Sequence, residues 1–259
     1  MAETLAGKSA LVTGATSGIG RAYAEVLASR GMDLVIVGRN GERLAEVADE
    51  ITEETDARIE VLVADLSQRE QIDAVANRAK HPDIGLVVNN AGYGLAQPFV
   101  AGDVDQEQQM LDVLVTAVMR ISHAALPGLI ERNLGGIINV SSVAGWLSSG
   151  TYSAAKSWVT TFSESLAMQL RESEAHVMAV CPGFTRTEFQ QRAGMRTETV
   201  PDYLWLDPYH VVTESLKDFA AAKPVSVPSV QYKTLGFVAQ YLPRPLVRAI
   251  SVMERNYRD

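Results

Sequence analysis

Ala10-Leu11-Val12-Thr13-Gly14-Ala15-Thr16-Ser17-Gly18-Ile19-Gly20 joins a short apolar run, a glycine-rich turn and the start of an amphipathic segment. Ala10–Val12 reads as a strand. Ile19–Arg30 reads as a helix that stops at Gly31, where a left-handed cap suits glycine. Glycines in such a turn let the backbone bend tightly and approach a ligand closely. The helix start beyond it offers unpaired N–H groups and a positive dipole end to a pyrophosphate. The spacing departs from the common dinucleotide fingerprint, with a longer first gap and a shorter second one. Any strand-to-helix turn needs glycine, so the turn alone is weak evidence. Its place after the first strand favours cofactor binding.

The same rhythm continues along the chain. Leu34–Val37, Ile59–Ala64, Ile84–Val88, Ile137–Val140 and Val177–Val180 read as strands. Glu42–Glu54, Arg69–Ala79, Gln106–Arg132 and Tyr152–Glu172 read as helices, with Pro127 and Gly128 expected to interrupt the third. Continuous apolar strands alternating with helices imply an α/β fold: a doubly wound, Rossmann-type parallel sheet with helices on both faces. From Pro182-Gly183 the pattern changes, and Thr185–Leu206 has no clear period. Asp207-Pro208 opens a helix to about Ala222, with aspartate as cap and proline in the first position. Val225–Val227 could be a last strand. The tail Tyr232–Tyr257 mixes apolar residues with Arg244, Arg248 and Arg255. One domain, 1–259, is expected, with 183–259 supplying a substrate loop and the tail.

Composition narrows the function. The chain has 259 residues and a net charge of −8, with a pI near 5.1, which argues against nucleic acid and anionic membrane surfaces. Cys181 is the single cysteine, so it reads as a buried, inert thiol in a reducing compartment. The N-terminus has no basic leader, and no apolar run reaches the roughly 20 residues of a membrane span. The expectation is a soluble, cytoplasmic protein. No His/Cys/carboxylate cluster suggests a metal, and His123 reads as a polar edge residue.

The end of the second strand bears on the cofactor. An acidic residue about 20 positions past the glycines would hold the ribose 2′-hydroxyl of NAD, and an arginine there accommodates the 2′-phosphate of NADP. Arg39 occupies that place, in Val37-Gly38-Arg39-Asn40, and favours NADP because guanidinium recognises phosphate well. Asp65, beside Leu66 after the third strand, reads either as an adenine contact or as a helix cap. Asn90, Ala91 and Gly92, after the fourth strand, are placed to border the cofactor cleft.

Tyr152 and Lys156 are four apart on a helix and share one face. A nearby ammonium favours the ionised phenol, lowering its pKa from an ordinary value of about 10. Such a tyrosine can exchange a proton with a carbonyl oxygen near neutral pH. A lone Tyr-x-x-x-Lys is more often a solvated face. Here it follows Ser141-Ser142-Val143-Ala144-Gly145-Trp146.

The ordered set Thr13–Gly20, Asp65, Asn89–Gly92, Ser142, Tyr152, Lys156 and Pro182-Gly183 resembles the short, single-domain branch of the short-chain dehydrogenase/reductase family, over about Leu5 to Thr187. The resemblance implies nicotinamide chemistry with Tyr152 as general acid/base, Ser142 polarising the carbonyl, and Lys156 holding the nicotinamide ribose while depressing the phenol pKa. Gly14, Thr16, Ser17, Gly18, Ile19, Gly20, Asn90 and Pro182, Gly183, Thr185 and Thr187 would contact the cofactor. Ser142 is preferred to Ser141 because the Ser-Val-Ala-Gly run after it matches the family pattern. Two departures stand out. The stretch from Ser142 to Tyr152 is short, and Leu114 in Asp112-Val113-Leu114-Val115 replaces an asparagine that in the family holds a water linking the lysine to solvent. An enzyme with another water path is preferred to a redox-sensing NADP(H) binder with little turnover. A sugar-nucleotide epimerase or dehydratase is a weaker third option.

Tyr93, Leu95, Trp146, Leu147, Phe184, Phe189 and Trp205 would wall the pocket, pointing to a hydrophobic ketone or secondary alcohol. The fourth helix is apolar almost all round, and one sheet covers only one side. A homodimer, or a tetramer built from it, is therefore expected; in the resembling family the fourth and fifth helices pair across a two-fold axis.

Overall fold

The computed structural model describes residues 5, 7–195, 197 and 200–241. The part of the tail beyond Tyr241, with Arg244, Arg248 and Arg255, lies outside them. Seven parallel strands form one sheet in the order β3-β2-β1-β4-β5-β6-β7. They are β1 Ser9–Thr13, β2 Asp33–Gly38, β3 Ile59–Val63, β4 Ile84–Asn89, β5 Gly136–Val140, β6 His176–Val180 and β7 Val225–Ser226. The helices are α1 Gly18–Ala28, α2 Gly41–Glu54, α3 Arg69–Ala79, α4 Val104–Glu131, α5 Gly150–Gln169, the short α6 Phe189–Arg192, α7 Pro208–Ala220 and α8 Val230–Tyr241. The doubly wound sheet inferred from the sequence is borne out. Strand order reverses between β1 and β4, and a crevice opens there at the carboxyl ends of the strands.

The inner strands feed two cores. Ala10, Val12, Leu34, Ile36, Leu86 and Val88 pack with residues of α1, α2 and α7. Leu11, Val35, Val37, Val87, Ile137 and Val177 face α3 and α4. Successive side chains point to opposite faces, so a sheet covered twice needs unbroken apolar strands. Caps fix where the helices begin. Asn40 Oδ1 accepts from Arg43 N–H at 3.0 Å, and Asp207 accepts from the amides of Tyr209 and His210. Gly31 takes φ +80° just past α1, as expected.

Helix α4 departs from expectation in two ways. It runs through Pro127 to Glu131 without a break. Pro127 and His123 lie on its exposed face, so the carbonyl deprived of its amide can turn to water, while buried Leu126 and Leu129 hold the turn in place. The irregularity sits instead at Asp112–Thr116, one turn of π-helix. The helix is also long and apolar enough to cross a membrane by length and composition, with a mean hydropathy of 1.6 over its most apolar stretch. In this fold it packs on the sheet through Val113, Ala117 and Ile121, and Met110 and Leu114 pack with Ala155 of α5. Much of its apolar circumference is thus covered within the chain, leaving Val104, Met119 and Ile130 exposed.

Candidate active site

The glycine turn is shaped by close approach. Gly14 and Gly18 take φ +68° and +57°, where a side chain is strained. A Cβ on Gly14 would fall 2.9 Å from Ala91 Cα, and one on Gly18 would fall 2.8 Å from the Thr187 methyl carbon. Gly20 serves packing instead of lining the cavity: its Cβ would meet Gly14 O at 2.2 Å, so only glycine lets α1 start against the turn. Asn90 binds the turn to β4, its Nδ2 donating to Thr13 O at 2.9 Å. The amides of Asn90 and Ala91 both donate to Thr13 Oγ1 at 3.0 Å. Ser17, the cap residue of α1, makes no side-chain capping bond, so the helix start keeps donors for a ligand.

The chemistry-bearing side chains come from β5, its following turn, and α5. Buried amides set these elements against each other. Asn89 Nδ2 donates to Asn139 Oδ1 at 2.9 Å, and Asn139 Nδ2 to Ser163 Oγ at 2.9 Å. The two adjacent serines then divide their roles. Ser141 is buried, its Oγ donating to Lys156 O at 2.7 Å. Ser142 faces the cavity and caps the turn Val143–Trp146, its Oγ accepting from Ala144 N–H at 3.1 Å. Lys156 is 5 % exposed; its Nζ donates to Val140 O at 2.7 Å and stands 5.7 Å from the centroid of the Tyr152 ring. Burial holds the Lys156 ammonium down at a pKa of about 8. Cys181, buried as expected, has its thiol pushed up to about 11 by burial.

One cavity of about 970 Å³ gathers Ser142, Tyr152 and Lys156 with Gly14, Thr16, Ser17, Gly18, Ile19, Arg39, Asp65, Leu66, Asn90, Ala91, Gly92, Pro182, Gly183, Thr185 and Thr187. Of the expected wall residues, Tyr93, Leu95, Trp146, Leu147, Phe184 and Phe189 line it. Phe189 packs on Tyr152 with ring centroids 5.7 Å apart. Trp205 does not line it: its ring packs tilted against Phe184, centroids 5.6 Å apart, with the Arg186 guanidinium 5.4 Å from it. Asp65 caps a local turn, its Oδ1 accepting from Ser67 N–H at 2.9 Å; α3 itself starts after Gln68. Leu114 is fully buried, and its Cδ2 would lie 2.7 Å from a Cβ on Gly92, with Lys156 Nζ 3.7 Å from that same point. The site also contains residues that the sequence reading missed. Arg43 lines the cavity and pairs with Glu188 at 2.5 Å; its spacing from Arg39, one helical turn on, could have revealed it. Tyr232 and Leu204 also line the cavity, and no local pattern marks either.

These residues fit a nicotinamide dinucleotide. The positive-φ glycines, packed too closely on Ala91 and Thr187 to carry a side chain, and the uncapped α1 start make a turn able to hold a pyrophosphate, and Arg39 and Arg43 line the same cavity. The family model for short chain dehydrogenases matches residues 8–197. The chain belongs to the short-chain dehydrogenase/reductase family. Members of this family are oxidoreductases that use a nicotinamide cofactor to act between C=O and CH–OH groups. Very-long-chain 3-oxoacyl-CoA reductase of Anas platyrhynchos is 37% identical over 190 residues, 70% of this chain and 61% of that protein. The chain therefore spans less than two thirds of that relative's length. Inactive hydroxysteroid dehydrogenase-like protein 1 of Homo sapiens is 30% identical over 97% of this chain and 78% of its own length. Among solved structures, a short-chain dehydrogenase from Sphingobium yanoikuyae in complex with NADPH has TM-score 0.83 and 32% identity, covering 90% of this chain and 93% of that one. The bulky-bulky ketone specific alcohol dehydrogenase from Comamonas testosteroni has TM-score 0.78 and 30% identity, covering 92% and 95%. A family member from Burkholderia phymatum in complex with NAD has TM-score 0.79 and 25% identity, covering 91% and 93%.

Proposed function

We propose that this chain is an NADP(H)-dependent oxidoreductase that interconverts a bulky, apolar ketone or aldehyde and its alcohol. The observation that carries this reading is the shared placement of Tyr152 and Ser142 on one cavity, with the Lys156 ammonium buried beside the tyrosine ring, next to the glycine turn. A bound nicotinamide supplies the hydride in reduction and takes it back in oxidation. The Ser142 hydroxyl orients the carbonyl oxygen, and Tyr152 Oη gives it a proton as charge develops there. The Lys156 cation stabilises the resulting phenolate and meets the nicotinamide ribose. Arg39 takes the 2′-phosphate, assisted by Arg43, in keeping with the NADPH-bound relative. The wall formed by Leu95, Trp146, Leu147, Phe184 and Phe189 supports an apolar substrate, and the bulky-ketone relative agrees with it. The exposed Met119 and Ile130 on α4 support pairing as a homodimer, or as a tetramer built from that dimer; light scattering at micromolar concentration tests the assembly.

The test is a panel of propiophenone, benzophenone, a ketosteroid, a 3-oxoacyl thioester and small keto acids, followed by nicotinamide absorbance. NADPH oxidation with the apolar ketones and none with keto acids is expected; equal turnover of both classes would remove the substrate reading. One observation favours a second reading. Leu114, packed at Gly92 beside Lys156, closes the place where the family's asparagine holds water, and a relative matching nearly the whole chain is named inactive. Tight NADPH binding with no oxidation across the panel would make the chain a redox-sensing binder.

A further inference from the structure

The segment between β6 and α7 carries one side of the cavity, through Phe184, Phe189 and Met195. Its two ends meet in a short parallel bridge: Leu206 N–H donates to Phe184 O at 2.8 Å, and Arg186 N–H to Leu206 O at 2.9 Å. A third connection comes from the C-terminal helix. Tyr232, in the first turn of α8, is 4% exposed. Its hydroxyl donates to Leu204 O at 2.8 Å and accepts from Phe184 N–H at 3.1 Å, so one oxygen spans both ends of the segment. Its ring lies flush on Gly183, where a Cβ would fall 2.0 Å from a ring carbon. One turn later Gly236 lets the Trp146 indole lie on the helix, since a Cβ there would come within 2.3 Å of that ring. Trp146 belongs to the turn that Ser142 caps. Helix α8 thus touches both sides of the cavity.

We propose that Tyr232 is a positioning residue for the substrate: its hydroxyl fixes the base of the 184–206 segment and so sets the wall that an apolar ketone meets. Its kinetic consequence rests on the oxidoreductase reading above, whereas its structural consequence does not. The wall is held in place before the substrate arrives, and a wall already ordered costs less to bind against. Two main-chain bonds, the exposed Arg186–Asp202 ion pair and one buried side-chain oxygen hold the base, so removing that oxygen loosens the segment locally.

The test compares Tyr232→Phe with Tyr23→Phe. The first keeps the ring on Gly183 and removes only the bridging oxygen. The second removes another buried tyrosine hydroxyl, which bonds Ser215 Oγ at 2.5 Å between α1 and α7, away from the cavity. For Tyr232→Phe, hydrogen exchange of the 184–195 amides is expected to quicken about tenfold, the worth of one buried hydrogen bond. Amides of β1 and β4 should keep the wild-type rate. With NADPH and the panel ketone that the wild type reduces best, KM should rise several-fold while kcat stays within about twofold. Tyr23→Phe should lower the melting temperature and leave both readouts unchanged. Unchanged exchange at 184–195, exchange raised equally across the strands, or the same KM rise in both variants would overturn the proposal. If the wild type reduces no ketone, the function reading fails, and the exchange comparison alone still decides for or against the clamp.

Discussion

The glycine turn and the 184–206 segment bound one cavity but are held by different kinds of contact. The turn is fixed by its immediate neighbours in the sheet: Thr13 Oγ1 takes the amides of Asn90 and Ala91, and Gly14 N–H donates to Val37 O at 2.8 Å. The segment is fixed by side chains from remote parts of the chain, Tyr232 on one side and Arg43 on the other. The strand ends therefore dictate the cofactor geometry, while the substrate wall can change without disturbing the sheet. That difference explains how one architecture combines a shared redox centre with a private substrate surface.

Four substitutions sharpen the contrast. Tyr152→Phe should cut turnover roughly 10²- to 10⁴-fold, the usual worth of a positioned acid/base, with NADPH binding by fluorescence titration unaltered; retained activity would move the proton donor elsewhere. Lys156→Met probes the same site through stability. Burial lowers the ammonium pKa from 10.5 to about 8, so between those values the unfolded chain holds a proton that the folded chain has released. Stability from this group rises with pH across that window, and below it the buried charge costs about 3 kcal/mol. The methionine variant should gain on the wild type at pH 7, and the gap should close toward pH 10 in urea unfolding; a gap independent of pH would refute the buried charge. Gly20→Ala should cost about 1–3 kcal/mol by overpacking against Gly14 O, read as a lower urea midpoint with weaker NADPH binding; a neutral result would show that α1 can shift. Arg39→Ala should weaken NADP binding about tenfold and NAD hardly at all. Equal losses would take the 2′-phosphate from this arginine.

The legible parts of the molecule are those whose geometry is local. Thr13–Gly20, the caps Asn40 and Asp207, and the Tyr152–Lys156 spacing each depend on residues a few positions apart, so periodicity and turn chemistry suffice to place them. Ser141 and Ser142 could be told apart only through resemblance, although the structure gives the physical difference: one hydroxyl bonds Lys156 O in the core, the other faces the cavity. Gly20 looked like a ligand contact because glycine serves close packing and close binding equally well. The π turn at Asp112–Thr116 leaves no mark in the hydrophobic pattern, which made Pro127 look like the irregular point of α4. Trp205 was placed in the pocket by its type, but it is drawn off by Phe184 and Arg186. Tyr232 escaped notice because its partners lie 48 and 28 residues away.

Leu114 and Gly92 occupy one volume between them: the leucine methyl sits where a Cβ at 92 would go, 2.7 Å away. A side chain at 92 therefore needs the end of Leu114 to move. Gly92→Ala alone should cost stability, and a shorter side chain at 114 should reduce that cost, a coupling that a double-mutant cycle would read directly. Restoring the family's asparagine here is thus also a change of volume beside the lysine.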